Sequence, residues 1–196
     1  MTTSDTHARI SKSIAESIAV KQRIMCDSAF LALLHTVGVA MTEVCLSGRK
    51  IFFLGNGGSA ADAQHLTAEF TGRYLRERSP LPAMALTVNA SSLTAIANDY
   101  SFEHIFARQL EALGTNGDLV IALSTSGNSV NVLRAMEVAR RKGLVRVGMT
   151  GGSGGLLREM VEHCFCVPSQ DTPRIQEAHI MIGHILCEIV EEELFG

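Results

Sequence analysis

Lys50-Ile51-Phe52-Phe53-Leu54-Gly55-Asn56-Gly57-Gly58-Ser59 (KIFFLGNGGS) decides the fold. A short, unbroken apolar run closes on glycines and then gives way to helical spacing, which is the signature of a strand buried on both faces that turns into a helix. The same grammar recurs in PAMALTVNAS, GDLVIALSTSGNS, VRVGMTGGSGG and HCFCVPSQDT. Between these runs, apolar residues repeat every three or four positions over 59–75, 91–112, 129–142, 154–161 and 173–194, predicting helices. Strand alternating with helix requires a parallel sheet, and right-handed crossovers place helices on both of its sides. The predicted fold is an α/β three-layer α/β/α sandwich around a five-stranded parallel sheet. In such sheets ligands bind beyond the carboxyl ends of the strands, where this chain concentrates its Gly, Ser, Thr and Asn.

Upstream, helical spacing from Ile10 to Leu46 without a proline predicts two N-terminal helices. A single domain over 1–196 follows, with a helical segment at 1–48 and an α/β core at 49–196. The helix from about Pro173 to Leu194 carries a broad stripe of Ile175, Ala178, Ile182, Ile185, Ile189 and Leu194. With the amphipathic N-terminal pair, that stripe predicts burial of an apolar face against a second copy of the chain, hence a homo-oligomer.

The chain has 196 residues, 46% of them apolar, and 17 Lys plus Arg against 20 Asp plus Glu give a net charge of -3. A core of useful size is possible, and no basic run offers a footprint for nucleic acid. No apolar stretch reads as long enough to cross a membrane, and residues 1–15 are too polar for a signal peptide, so a soluble cytoplasmic protein is expected. Cys26, Cys45, Cys164, Cys166 and Cys187 lack a framework spacing and are expected to be reduced core thiols.

Four segments carry chemistry. Gly55-Asn56-Gly57-Gly58-Ser59 allows close backbone approach, with Ser59 expected to cap the following helix and its free amides facing an oxyanion. The spacing of a dinucleotide fingerprint and the lysine of a nucleotide loop are both missing. Ser124-Thr125-Ser126-Gly127-Asn128-Ser129 gathers four hydroxyls at a helix N-terminus and predicts a phosphate clamp of neutral donors; plain capping would need only Ser129. His65 and Glu69 share one helix face and can hold a metal or each other. Thr172 to His179, with His184 beyond, adds further polar groups; a histidine in apolar surroundings is usually a core or interface residue, and for His163, His179 and His184 alike spacing leaves the reading open.

In order along the chain, G-N-G-G-S-A-A-D-A-Q-H-x-x-x-E (55–69), A-N-D-Y (97–100), S-T-S-G-N-S (124–129) and P-S-x-D-T-x-R-I-Q-E-x-H with His184 resemble the phosphoheptose isomerases, a family of the sugar isomerase (SIS) superfamily. The resemblance implies a cytoplasmic homotetramer with interfacial sites that uses one zinc ion to convert sedoheptulose 7-phosphate into D-glycero-D-manno-heptose 7-phosphate, for bacterial heptose nucleotides. It implies metal positions at His65, Glu69, Gln176 and His184. It also implies substrate positions at Asn56, Gly57, Gly58, Glu69, Asn98, Asp99, Ser124, Thr125, Ser126, Ser129 and Gln176.

Such isomerisation needs a base at carbon and a proton donor at oxygen, roles that fall to Glu69 and His184. Gln176 and His184 lie eight residues apart, about 12 Å along a helix. Either the helix starts after Gln176, or the side chains lean together, or one arrives from a neighbouring subunit. Two non-catalytic relatives compete: a tetramer that binds a replication initiator protein, and a sugar-phosphate sensor. The presence of both Glu69 and His184 favours the enzyme.

Overall fold

The computed structural model describes residues 3–196. Two helices open it, α1 (Thr3–Met25) and α2 (Ser28–Leu46), the second capped by Asp27, whose carboxylate accepts from the amides of Ala29 and Phe30. Strands β1 (Ile51–Gly55), β2 (Ala83–Ala85), β3 (Leu119–Leu123), β4 (Val145–Gly151) and β5 (His163–Val167) form one parallel sheet of order β2-β1-β3-β4-β5. Helices α3 (Gly58–Thr71), α4 (Ala90–Asp99), α5 (Ile105–Leu113), α6 (Val130–Lys142) and α7 (Thr172–Phe195) flank it.

Strand alternation divides the core in two. Ile51, Phe53, Leu119, Ile121, Leu123, Val147, Met149, Phe165 and Val167 face α2, α3 and α7, whereas Phe52, Leu54, Val120 and Ala122 face α5 and α6. Chain order reverses between β1 and β3, so the loops after these two strands open the crevice where ligands of such sheets bind. The predicted fold and strands are therefore observed.

Helix boundaries differ in three places. The helix expected over 59–75 ends at Thr71, and the one expected over 91–112 is interrupted after Asp99 by a 3₁₀ turn, Phe102–His104. Over 154–161 there is only a 3₁₀ turn, Leu156–Met160, because four glycines in residues 151–155 leave too few side chains to sustain an α-helix.

Two further expectations are corrected. Helix α2 is long and apolar enough by composition to cross a membrane, with a mean hydropathy of 1.8 over Ser28–Leu46. Here its face of Phe30, Leu34, Val37 and Met41 is buried in the core beside α7. The α7 stripe is likewise covered in part within its own chain: Ile175, Ala178 and Ile182 are buried, whereas Ile185, Ile189 and Leu194 are half-buried. A further exposed apolar stripe lies on α1, where Ile10, Ile14 and Ile18 are each about half exposed.

His179 is a core residue: it is fully buried, with Nε2 against the Thr150 carbonyl at 3.2 Å. Burial pushes its pKa down from 6.5 to about 4, so the imidazole is neutral in the folded protein. The unfolded chain then binds more protons between these values. Stability should be complete above about pH 6.5 and decline by up to about 3 kcal/mol as pH falls towards 4. Urea midpoints across that window check this, and His179→Gln should flatten the slope.

Candidate active site

Helices α3 and α7 each follow a strand on the same side of the sheet and run parallel, side by side. Three points mark the seam. At its start a Cβ on Gly58 would lie 2.6 Å from Gln176 Nε2; midway one on Gly183 would lie 2.5 Å from Leu66 Cδ2; at the far end Glu191 meets the segment that leaves α3. Close approach at Gly58 and Gly183 therefore depends on the missing side chains.

Midway along the seam, His184 from α7 reaches His65 and Glu69 from α3. The two Nε2 atoms are 2.9 Å apart, His65 Nε2 is 3.3 Å from Glu69 Oε1, and one ligand atom from each residue lies within 4.8 Å of the others. Two imidazole nitrogens this close require a shared proton or a cation that takes both lone pairs. In a tetrahedral zinc site, two such nitrogens stand about 3.3 Å apart. A few tenths of an ångström of widening would seat an ion, so the donor set fits. His65 is exposed and Glu69 is partly so, which leaves the cluster open to substrate.

The far end fastens this geometry. Gly72 ends α3, and the chain turns so that the amides of Tyr74, Leu75 and Arg76 all donate to the Glu191 carboxylate, at 3.0, 2.9 and 3.0 Å. Arg78 Nε completes the set at 2.9 Å, and the two side chains are only 2% and 3% exposed. Burial opposes ionisation of Glu191, but these donors outweigh it and hold the carboxyl below its ordinary range. Arg78 also donates to the carbonyls of Glu69 and Phe70, at 2.7 and 2.8 Å, capping the end of α3. Tyr74, held in this way, stacks on His184 with ring centroids 5.6 Å apart. Sequence reading placed Tyr74 on a helix and missed Arg78 and Glu191; Gly72 was the available signal for the turn.

At the crevice, Asn56 and Asn131 exchange amide hydrogen bonds of 2.9 Å each, joining the glycine loop to α6. Ser59 does not cap α3: the cap position falls on Gly57, whose φ of 57° suits glycine, and Ser59 is buried in the first turn. Ser129 occupies the cap position of α6, yet its hydroxyl bonds to Ser124 Oγ at 3.1 Å rather than to the helix. The first amides of both helices thus lack side-chain caps, which suits an anion bound between the two loops.

The structure therefore joins His65, Glu69 and His184, and, because β1 and β3 pair up to Gly55 and Leu123, sets the loop of Asn56, Gly57 and Gly58 beside that of Ser124, Thr125, Ser126 and Ser129. Gln176 sits over Gly58, seven residues and about 10 Å of helix before His65. Because α7 starts at Thr172, a helix beginning after Gln176 is excluded. Asn98 and Asp99 are exposed and bonded to each other at 2.9 Å; among the described residues they bond to neither group. Asp62, unnoticed in the sequence, lies one turn before His65 with one carboxylate oxygen buried and unpartnered, and burial raises its pKa.

A fold of this order with a serine-lined crevice is that of a sugar isomerase domain, and the SIS domain model matches residues 31–151. The chain is 50% identical over 186 residues to the phosphoheptose isomerase of Aneurinibacillus thermoaerophilus, covering 95% of this chain and 94% of that protein. It is 56% identical over 163 residues to that of Rhodospirillum rubrum, covering 83% and 86%. The solved phosphoheptose isomerase from Neisseria gonorrhoeae superposes with a TM-score of 0.90 at 38% identity, covering 95% of this chain and 99% of that one. The chain belongs to the phosphoheptose isomerase family.

Proposed function

We propose that this chain converts sedoheptulose 7-phosphate into D-glycero-D-manno-heptose 7-phosphate through an enediol, with Glu69 and His184 as its acid–base pair. The observation that carries the reading is the convergence of His184 with His65 and Glu69 across 119 residues of sequence. The family membership supplies the substrate. Glu69 takes the proton from C1 of the ketose and returns it to C2, while His184 moves a proton between the two oxygens.

The loop Ser124–Ser129 and the uncapped start of α6 hold the phosphate, and that remote binding orients the reacting end. Asn56, Gly57, Gly58, Asn98 and Asp99 are assigned to the sugar. Zinc, held by His65 and His184 with Glu69 in loose or exchanging contact, would supply a Lewis acid beside the substrate oxygens. Gln176 stands too far along α7 to join these three in one protomer, so we assign the Gln176 that completes the set to a neighbouring subunit of a homotetramer. The exposed Ile10, Ile14 and Ile18 of α1 support such an assembly. A cytoplasmic setting suits a phosphorylated substrate.

Turnover of sedoheptulose 7-phosphate, measured beside fructose 6-phosphate with and without a chelator, tests the proposal. Only the heptulose should turn over, and zinc should restore what the chelator removes. No turnover of the heptulose would sink the reading, and undiminished turnover after full chelation would remove the metal from it. In the same assay Ser124→Ala should raise KM roughly ten- to hundred-fold, the worth of one hydrogen bond to a charged group, and change kcat far less.

A further inference from the structure

The expectation of core thiols holds fully only for Cys187, which is buried; Cys26 is exposed, and Cys45, Cys164 and Cys166 are half-buried. Cys164 and Cys166 form a pair. Strand β5 is an edge strand, and its alternation sends Phe165 and Val167 into the core under α2 and α7 and the two cysteines to the other face. Their sulfurs are 3.7 Å apart, and Thr150 Oγ1 from β4 donates to Cys166 Sγ at 3.5 Å.

Gly154 packs on this sulfur: a Cβ there would lie 2.9 Å from Cys166 Sγ and 2.8 Å from the Arg158 Cβ. The hydrogen bond shared with Cys164, then that of Thr150 and the charge of Arg158, hold the Cys166 thiol below its ordinary range against the opposing effect of burial, while Cys164 is raised. Burial pushes Cys45 up to about 11 and Cys187 up to about 12, leaving these two unreactive.

We propose that Cys164 and Cys166 are a modification site, oxidised by hydroperoxides to an intrachain disulfide whose closure loosens the serine loop. The Cys166 thiolate attacks the peroxide, the O–O bond breaks, and the leaving oxygen takes up a proton as water or alcohol. Cys166 is then a sulfenic acid. The Cys164 sulfur attacks it, the S–O bond breaks, and the hydroxide leaves as water with the Cys164 proton. One hydroperoxide is thereby reduced by two electrons, and two thiols become one disulfide.

Closure brings the sulfurs from 3.7 Å to about 2.05 Å, which requires β5 to shorten locally, since alternate residues of a strand lie near the upper Cα limit for a disulfide. An edge strand, paired on one side only, can make this change.

The strain has a path to the site. Gly151 N donates to Thr125 O at 3.0 Å, Leu157 N to Gly127 O at 2.9 Å, and Leu156 N to Asn128 Oδ1 at 3.0 Å, so the segment around Gly154 is zipped to Ser124–Ser129. This second part rests on the serine loop being the phosphate clamp.

Hydrogen peroxide is the probe. After treatment, alkylation of remaining thiols and trypsin digestion, residues 159–174 form one peptide holding both cysteines and no other. It should lose two hydrogens and resist alkylation until dithiothreitol is added. Cys164→Ser should stop at a Cys166 sulfenic acid that dimedone captures, and Cys166→Ser should leave Cys164 reduced. KM for the heptulose phosphate should rise several-fold on oxidation, reversibly, and stay unchanged in Cys166→Ser. Full alkylation of both thiols after peroxide, or a cross-link to Cys26 in their place, overturns the site; a disulfide with unchanged KM overturns the coupling. If Ser124→Ala also leaves KM unchanged, the clamp has failed, and the peptide masses still decide the dithiol.

Discussion

Glu69→Gln is expected to lower kcat by about 10²- to 10⁴-fold, the usual share of a general base, while the protein stays folded. Glu69 is partly exposed, and its side-chain partner is His65 Nε2 at 3.3 Å, to which a glutamine can still offer an oxygen. The amide loses basicity and the charge that Glu69 offers the metal, so the assay is run with saturating zinc. Exchange of substrate hydrogen with solvent deuterium, followed by NMR, reads proton abstraction directly and should vanish with turnover. Thermal unfolding should be nearly unchanged. Turnover close to that of the unaltered chain would remove Glu69 from the base role.

Glu191→Ala should cost about 3–5 kcal/mol of stability, because it removes the carboxylate that balances the buried Arg78 guanidinium and accepts from three backbone amides. A second effect separates this clamp from ordinary core residues. Arg78 ties down the Glu69 carbonyl and the turn carrying Tyr74, which stacks on His184. Assayed at a temperature where the variant is folded, kcat should fall as well, with KM little changed. Glu191→Gln, which keeps an acceptor, should recover part of both losses. An unfolding free energy from denaturant titration within about 1 kcal/mol of the parent would contradict the assignment.

The sheet was legible in the sequence because a strand buried on both faces leaves an unbroken apolar run, as in Phe52 to Leu54 and Leu119 to Leu123. The two loops at the crevice were legible because their glycines and hydroxyls follow directly on such runs and precede helical spacing, at the carboxyl ends of the strands. The seam was not. His65 and Glu69 show their relation through local spacing, but their meeting with His184 depends on how two helices distant in sequence are set side by side, and only the resemblance linked them. Arg78 and Glu191 had no local sign at all: a charged pair that becomes buried is written like any other exposed charge. Ser59 shows the opposite failure, since a residue suited to capping is buried in the first turn while the cap position falls on Gly57.

Gly183 stands immediately before His184, and the space its absent side chain leaves is filled by Leu66, the neighbour of His65. The gap between the two imidazoles is therefore set by how deeply one leucine nests beneath them. Small wedges at 183 would act as a calibrated spacer, opening the histidine pair in steps of a methyl group and tuning which ionic radius the cluster prefers, without altering a single ligand.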